Sequence, residues 1–156
     1  MSHNAINVLF VCTHNSVRSI LAEAILNHIG RDKFKAYSAG SGPSYDQQPN
    51  PMVLQGLKNA GIAIDGLRSK LWDVFGRMDA PRMDLVITVC DNAAGEVGPT
   101  WPGQPAITHW DLLGPCAGDA TDAEAFGQTM TALKHRIEAL ISLPVVKVEK
   151  TMPSGR

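Results

Sequence analysis

The run Ile6-Asn7-Val8-Leu9-Phe10-Val11 passes into Cys12-Thr13-His14-Asn15-Ser16-Val17-Arg18-Ser19 and then, with no spacer, into a helix-patterned stretch. A short, nearly continuous apolar run reads as a strand covered on both faces, and the helix that follows at once makes a βα unit. Such a strand needs parallel neighbours, each reached by a right-handed crossover. The rest of the chain supplies them. Val17, Ile20, Leu21, Ala24, Ile25 and Ile29 recur at three- and four-residue steps up to a stop at Gly30. Phe34-Lys35-Ala36-Tyr37-Ser38-Ala39-Gly40 reads as a second strand leading into a polar Gly/Pro loop, and a helix from Pro51 carries Val53, Leu54, Leu57 and Ala60 to a cap at Gly61.

Leu71-Trp72-Asp73-Val74-Phe75 reads as one or two helical turns with Trp72 in the core, and Arg68 and Lys70 as a basic pair on a solvated face. Asp84-Leu85-Val86-Ile87-Thr88-Val89-Cys90 is a buried strand, and Ala106-Ile107-Thr108-His109-Trp110 a fourth. Thr121 and Glu124 make a capping box for a last helix whose apolar side is Phe126, Met130, Leu133, Ile137, Leu140 and Ile141. The expected architecture is α/β: a three-layer αβα sandwich around a central, mostly parallel four-stranded sheet. It forms one domain over 1–146, with a flexible polar tail over 147–156.

In such sheets ligands sit beyond the carboxyl ends of the strands. Cys12 and Cys90 both end strands and Asp111 follows a third, so three candidate reactive groups open onto one edge. The loop 12–19 is the most informative of these. Successive backbone N–H groups and a helix N-terminus suit a bound anion, and the Arg18 guanidinium offers a planar fork to two of its oxygens. The same positive field favours the thiolate of Cys12, which makes it a nucleophile toward a tetrahedral oxyanion.

Composition makes that anion specificity local. The 156 residues carry a formal net charge of −1, so no global field draws nucleic acid or an anionic membrane. Hydrophobic residues at 44% and charged residues at 19% are an ordinary globular balance. Without an eighteen-residue apolar run or a leader pattern, the protein is expected to be cytoplasmic. Cys12, Cys90 and Cys116 are too far apart in sequence for a disulfide framework, and with the scattered histidines give no metal-ligand spacing; no metal is expected.

Residues 8–19, Ala22-Glu23, Tyr37-Ser38-Ala39-Gly40, the segment 86–96, Trp101-Pro102-Gly103 and His109-Trp110 together resemble the low-molecular-weight phosphatase fold and, within it, the arsenate reductases. The segment 88–103 looks like the reductase branch. The phosphatase branch usually follows its Arg-Ser with proline, where this chain has Ile20. The resemblance implies that Cys12 attacks arsenate while Arg18 and the backbone of Thr13, His14, Asn15, Ser16 and Val17 hold the oxyanion. Asn15 would fix the loop, and Ser19 would hydrogen-bond the thiolate. A second thiol would then release arsenite and leave a disulfide, and Cys90 stands where family members place one.

Two positions depart from the family pattern. Gly98 stands where a further cysteine is usual, and Gly114 where an aspartate before proline serves as general acid. Asp111 is the nearby carboxylate that could replace that acid. Reduction could then use Cys12 with Cys90, Cys116 as a displaced relay thiol, or a small thiol. The expected reductant is external, such as thioredoxin or glutathione/glutaredoxin, with no bound cofactor, and the protein is expected to be a monomer. The alternatives are a phosphatase of the same fold acting on phosphotyrosine or small phosphoesters, or an oxyanion-binding protein that has lost turnover.

Overall fold

In the computed structural model, the described residues are 5–12, 18–40, 51–70, 72–76, 80–89, 105–110 and 123–142. They form β1 (Ile6–Cys12), α1 (Arg18–Ile29), β2 (Phe34–Gly40), α2 (Pro51–Asn59), a 3-10 turn (Trp72–Gly76), β3 (Leu85–Thr88), β4 (Ala106–His109) and α3 (Ala123–Ser142). The capping box at Thr121 and the tail 147–156 lie outside the described residues.

The sheet order is β2-β1-β3-β4, and all three pairings are parallel. The register sets Phe10 beside Ser38 and Ile87, and Thr88 beside both Val11 and His109. β1 is therefore a central strand, and Val8, Leu9, Phe10 and Val11 are fully buried. The near-continuous apolar run is what a strand with helices or turns on both faces requires.

Alternation along β2 identifies the covering layers, because successive strand residues face opposite sides. Ser38 bonds Glu23 of α1, whereas its neighbour Tyr37 meets Phe75 of the 3-10 turn edge-on at 5.6 Å. Hence α1 and the turn cover opposite faces. Phe10, level with Ser38, packs on Trp110 at 5.6 Å between ring centroids, and Arg136 of α3 lies 6.0 Å over that indole. α3 thus shares the α1 side, where Leu133, Ile137 and Leu140 enter the core.

Flanked by the sheet and by α3, α1 buries Ile20, Leu21, Ala22, Ala24, Ile25 and Leu26, more of its circumference than a single stripe would. Ile29, expected on the apolar side, is 37% exposed instead, because α1 is ending there. α2 closes as the sequence predicts. Gly61 has φ 78°, its N–H bonds the Lys58 carbonyl, and the Ile62 N–H reaches back to Leu57. Those two bonds satisfy carbonyls that the helix end leaves open.

β3 is shorter than the expected 84–90, since its pairing with β1 and β4 ends at Thr88. Among the described residues no helix is long and apolar enough to cross a membrane.

Candidate functional site

The strand order reverses direction between β1 and β3. From β1 the chain first moves outward to β2, then returns to the other side of β1 for β3 and β4. At such a switch point the connections diverge and leave a crevice beyond the strand ends. Cys12 is the last residue of β1, and Thr88 ends the neighbouring strand, with Val89 one residue beyond it.

Cys12 is buried, and its Sγ lies 3.0 Å from the hydroxyl of Ser19. Ser19 is also buried, as the second residue of α1. Arg18, the first helical residue, is 5% exposed and donates from Nη1 to the Val89 carbonyl at 2.9 Å. Burial of a guanidinium demands such a partner, and a charge-assisted bond to a carbonyl holds the planar group in one orientation. The first turn of α1 contains no acidic residue, so the positive end of its dipole is not neutralised at the side facing the strand ends. The described part of the site is thus a buried sulfur beside a hydroxyl, a guanidinium held by the adjacent strand end, and a helix N-terminus. It can stabilise negative charge on sulfur and hold an oxyanion.

Of the residues singled out from sequence, Cys12, Arg18 and Ser19 come together here. Thr13, His14, Asn15, Ser16, Val17, Cys90, Asp111 and Cys116 lie outside the described residues. Among the described residues, no group of three or more His, Cys, Asp or Glu side chains could hold a metal ion.

A second polar group joins two segments, Ala22-Glu23 and Tyr37-Ser38, that carry the resemblance but to which the sequence assigns no role. Glu23, one helical turn after Ser19, accepts a 2.5 Å hydrogen bond from the fully buried Ser38 hydroxyl. Burial pushes its carboxyl above the usual carboxylate range, while Ser38, Lys70 and Arg68 oppose that rise. Burial likewise lowers the ammonium of Lys70, with Glu23 acting in the other direction. Lys70 is half-buried rather than solvated as expected: its backbone carbonyl accepts from the Gly40 N–H at 2.7 Å, and its Nζ donates to the Arg68 carbonyl at 2.8 Å. The available signal was a lone acid inside the apolar stretch Ile20–Leu26.

A third feature joins strand ends. The Thr88 hydroxyl is 2.8 Å from Nδ1 of His109, and Trp110 N–H donates to the Thr88 carbonyl at 2.9 Å. His109 and Trp110 thus meet Thr88 and Phe10 at the strand end.

A profile of the low molecular weight phosphotyrosine protein phosphatases matches residues 7–152. The chain belongs to that family. Within it, this phosphatase-family chain is 30% identical over 135 residues to the glutaredoxin arsenate reductase of Synechocystis sp., covering 86% of the chain and 95% of that protein. The solved structure of an arsenate reductase in a phosphate-binding state superposes with a TM-score of 0.71 at 30% identity, over 88% of this chain and 97% of the other. A thioredoxin-dependent arsenate reductase of Corynebacterium glutamicum gives a TM-score of 0.64 at 28% identity, over 90% of this chain and 62% of that one. The phosphatase-like α/β fold expected from the loop and its neighbours is the fold observed.

Proposed function

We propose that this phosphatase-family chain is a thiol-dependent arsenate reductase. The observation that carries the reading is the buried Cys12 sulfur 3.0 Å from the Ser19 hydroxyl, on a chain similar along most of its length to a glutaredoxin arsenate reductase. In this reading the Cys12 thiolate attacks arsenic and an arsenate oxygen departs as water, leaving a sulfur–arsenic bond. Arg18, Ser19 and the backbone of 13–17 hold the remaining oxygens and the sulfur. Asp111 supplies the proton for the departing oxygen.

A second thiolate, that of Cys90, then attacks Cys12 Sγ. The sulfur–arsenic bond breaks, its electron pair stays on arsenic, arsenic(V) becomes arsenic(III), and a disulfide remains. Cys116 is the alternative resolving thiol. An external dithiol or glutathione system reduces the disulfide, consistent with the names of the glutaredoxin- and thioredoxin-dependent relatives. The same reading has the protein act as a cytoplasmic monomer without a bound cofactor.

The family match also favours a second reading, hydrolysis of phosphotyrosine or small phosphoesters by the same thiol. One assay separates the two. Arsenite formation is followed with thioredoxin and with glutathione/glutaredoxin, on the wild type and on Cys12→Ser, Cys90→Ser and Cys116→Ser. Reduction requires arsenite from the wild type and none from Cys12→Ser. Reductant-independent turnover of an aryl phosphate, with no arsenite under either system, would replace reductase by phosphatase. Phosphate binding with neither turnover would leave only an oxyanion-binding protein.

A further inference from the structure

The end of β3 is held from several directions. Val89 N–H donates to the Val11 carbonyl at 2.8 Å and Trp110 N–H to the Thr88 carbonyl at 2.9 Å. Between the side chains, the Thr88 hydroxyl meets His109 Nδ1 at 2.8 Å, with the Thr108 carbonyl at 3.4 Å. The Val89 carbonyl, one residue past the last paired position of β3, receives the Arg18 guanidinium. Thr88 is 6% exposed, so its hydroxyl gains little from water and is committed to the neighbouring strand.

Among the described residues, β4 is an edge strand, paired on one side with β3. An edge strand is the part of a sheet most readily displaced. The side-chain bond from Thr88 to His109 adds a tie at the point where the backbone ladder stops. It adds to the backbone bonds of the Val89 and Trp110 N–H groups in fixing the strand end from which the Val89 carbonyl meets the guanidinium.

We propose that Thr88 and His109 are positioning residues for Arg18: their side-chain hydrogen bond holds the end of β3 so that the Val89 carbonyl orients the guanidinium toward a bound oxyanion. This rests on the reading of Arg18 as an oxyanion-binding residue, and it adds two residues from outside the Cys12–Ser19 segment. The pair touches no reacting atom; it acts through Arg18.

The test uses inorganic phosphate binding to the full chain, measured by calorimetry, together with the rates at which iodoacetate and iodoacetamide alkylate Cys12, followed by peptide mass spectrometry. An aimed guanidinium favours the anionic reagent, whereas general loosening speeds or slows both alike. Thr88→Val and His109→Ala should each weaken phosphate binding by about fivefold or more, as loss of one buried hydrogen bond would. Each should lower the iodoacetate-to-iodoacetamide rate ratio, and the double variant should be no worse than either single one.

Thr88→Ser keeps the hydroxyl and His109→Asn keeps an amide that can pair with it in either sense; both should stay within about twofold of wild type. If Thr88→Val and His109→Ala lower the melting temperature but leave phosphate affinity and the rate ratio unchanged, the pair is structural only and the inference fails. Equal loss in Thr88→Ser and Thr88→Val would also overturn it. A wild type that binds no phosphate would instead refute the reading of the site, and this inference with it.

Discussion

Replacing Ser19 by alanine isolates the hydroxyl that faces the Cys12 sulfur. Both groups are buried and 3.0 Å apart, within reach for a hydroxyl donating to sulfur. When the sulfur carries negative charge this is a charge-assisted bond, worth about 1.5–3 kcal/mol. Water cannot easily substitute for it, because Cys12 is only 1% exposed. At roughly 1.4 kcal/mol per decade, the loss corresponds to about a ten- to hundredfold fall in kcat/KM for arsenate.

Stability should respond much less. The substitution removes a polar group from a buried site, and its sulfur partner is only a weak hydrogen-bond acceptor when neutral. The assays are steady-state arsenite production and the rate of Cys12 alkylation by iodoacetamide, with thermal unfolding as the control for folding. Both rates should fall together. A Ser19→Ala protein that folds normally and keeps both rates within about twofold of wild type would refute the assignment of this hydroxyl to the thiolate.

Two further outcomes test the packing around the site. Glu23→Gln keeps an acceptor for Ser38 but cannot ionise. Because burial raises the folded-state carboxyl of Glu23 above its ordinary range, the folded protein binds more protons there than the unfolded chain, so the contribution of Glu23 to stability is largest at acid pH and declines as pH rises through that range. Chemical denaturation of the two proteins between about pH 4 and 7 should therefore show a flatter dependence in Glu23→Gln; an identical slope would contradict the burial argument. Gly61→Ala should cost about 1–2 kcal/mol in the same assay, since φ there is 78° and an added methyl meets nothing within 4 Å, leaving conformational strain as the cause.

How much was legible in advance depended on how far apart the interacting residues stand. The β1 run, the α2 start at Pro51 and its Gly61 cap are local patterns, and each appears where the sequence puts it. The Cys12–Ser19 contact spans a single loop and is the one that the family resemblance implies. Glu23 and Ser38 are 15 residues apart, and their meeting depends on the register of β2 against β1 and on the rotation of α1 over the sheet. Lys70 differs from its sequence expectation for a related reason. A basic residue in a polar segment reads as solvated until the Gly40 N–H is seen to take its carbonyl.

From the sequence alone came the alternation of buried strands and helices, hence a parallel sheet with its chemistry at one edge, and the thiol and guanidinium at the end of the first strand. Periodicity, capping and short motifs are encoded between near neighbours, so they can be read one segment at a time. Tertiary structure alone decided what holds those groups. Arg18 is oriented by a carbonyl 71 positions away, and Thr88 meets His109 across 21. Those distances collapse only when β1, β3 and β4 align in one register, and strand register is a property of the assembled sheet that no single segment contains.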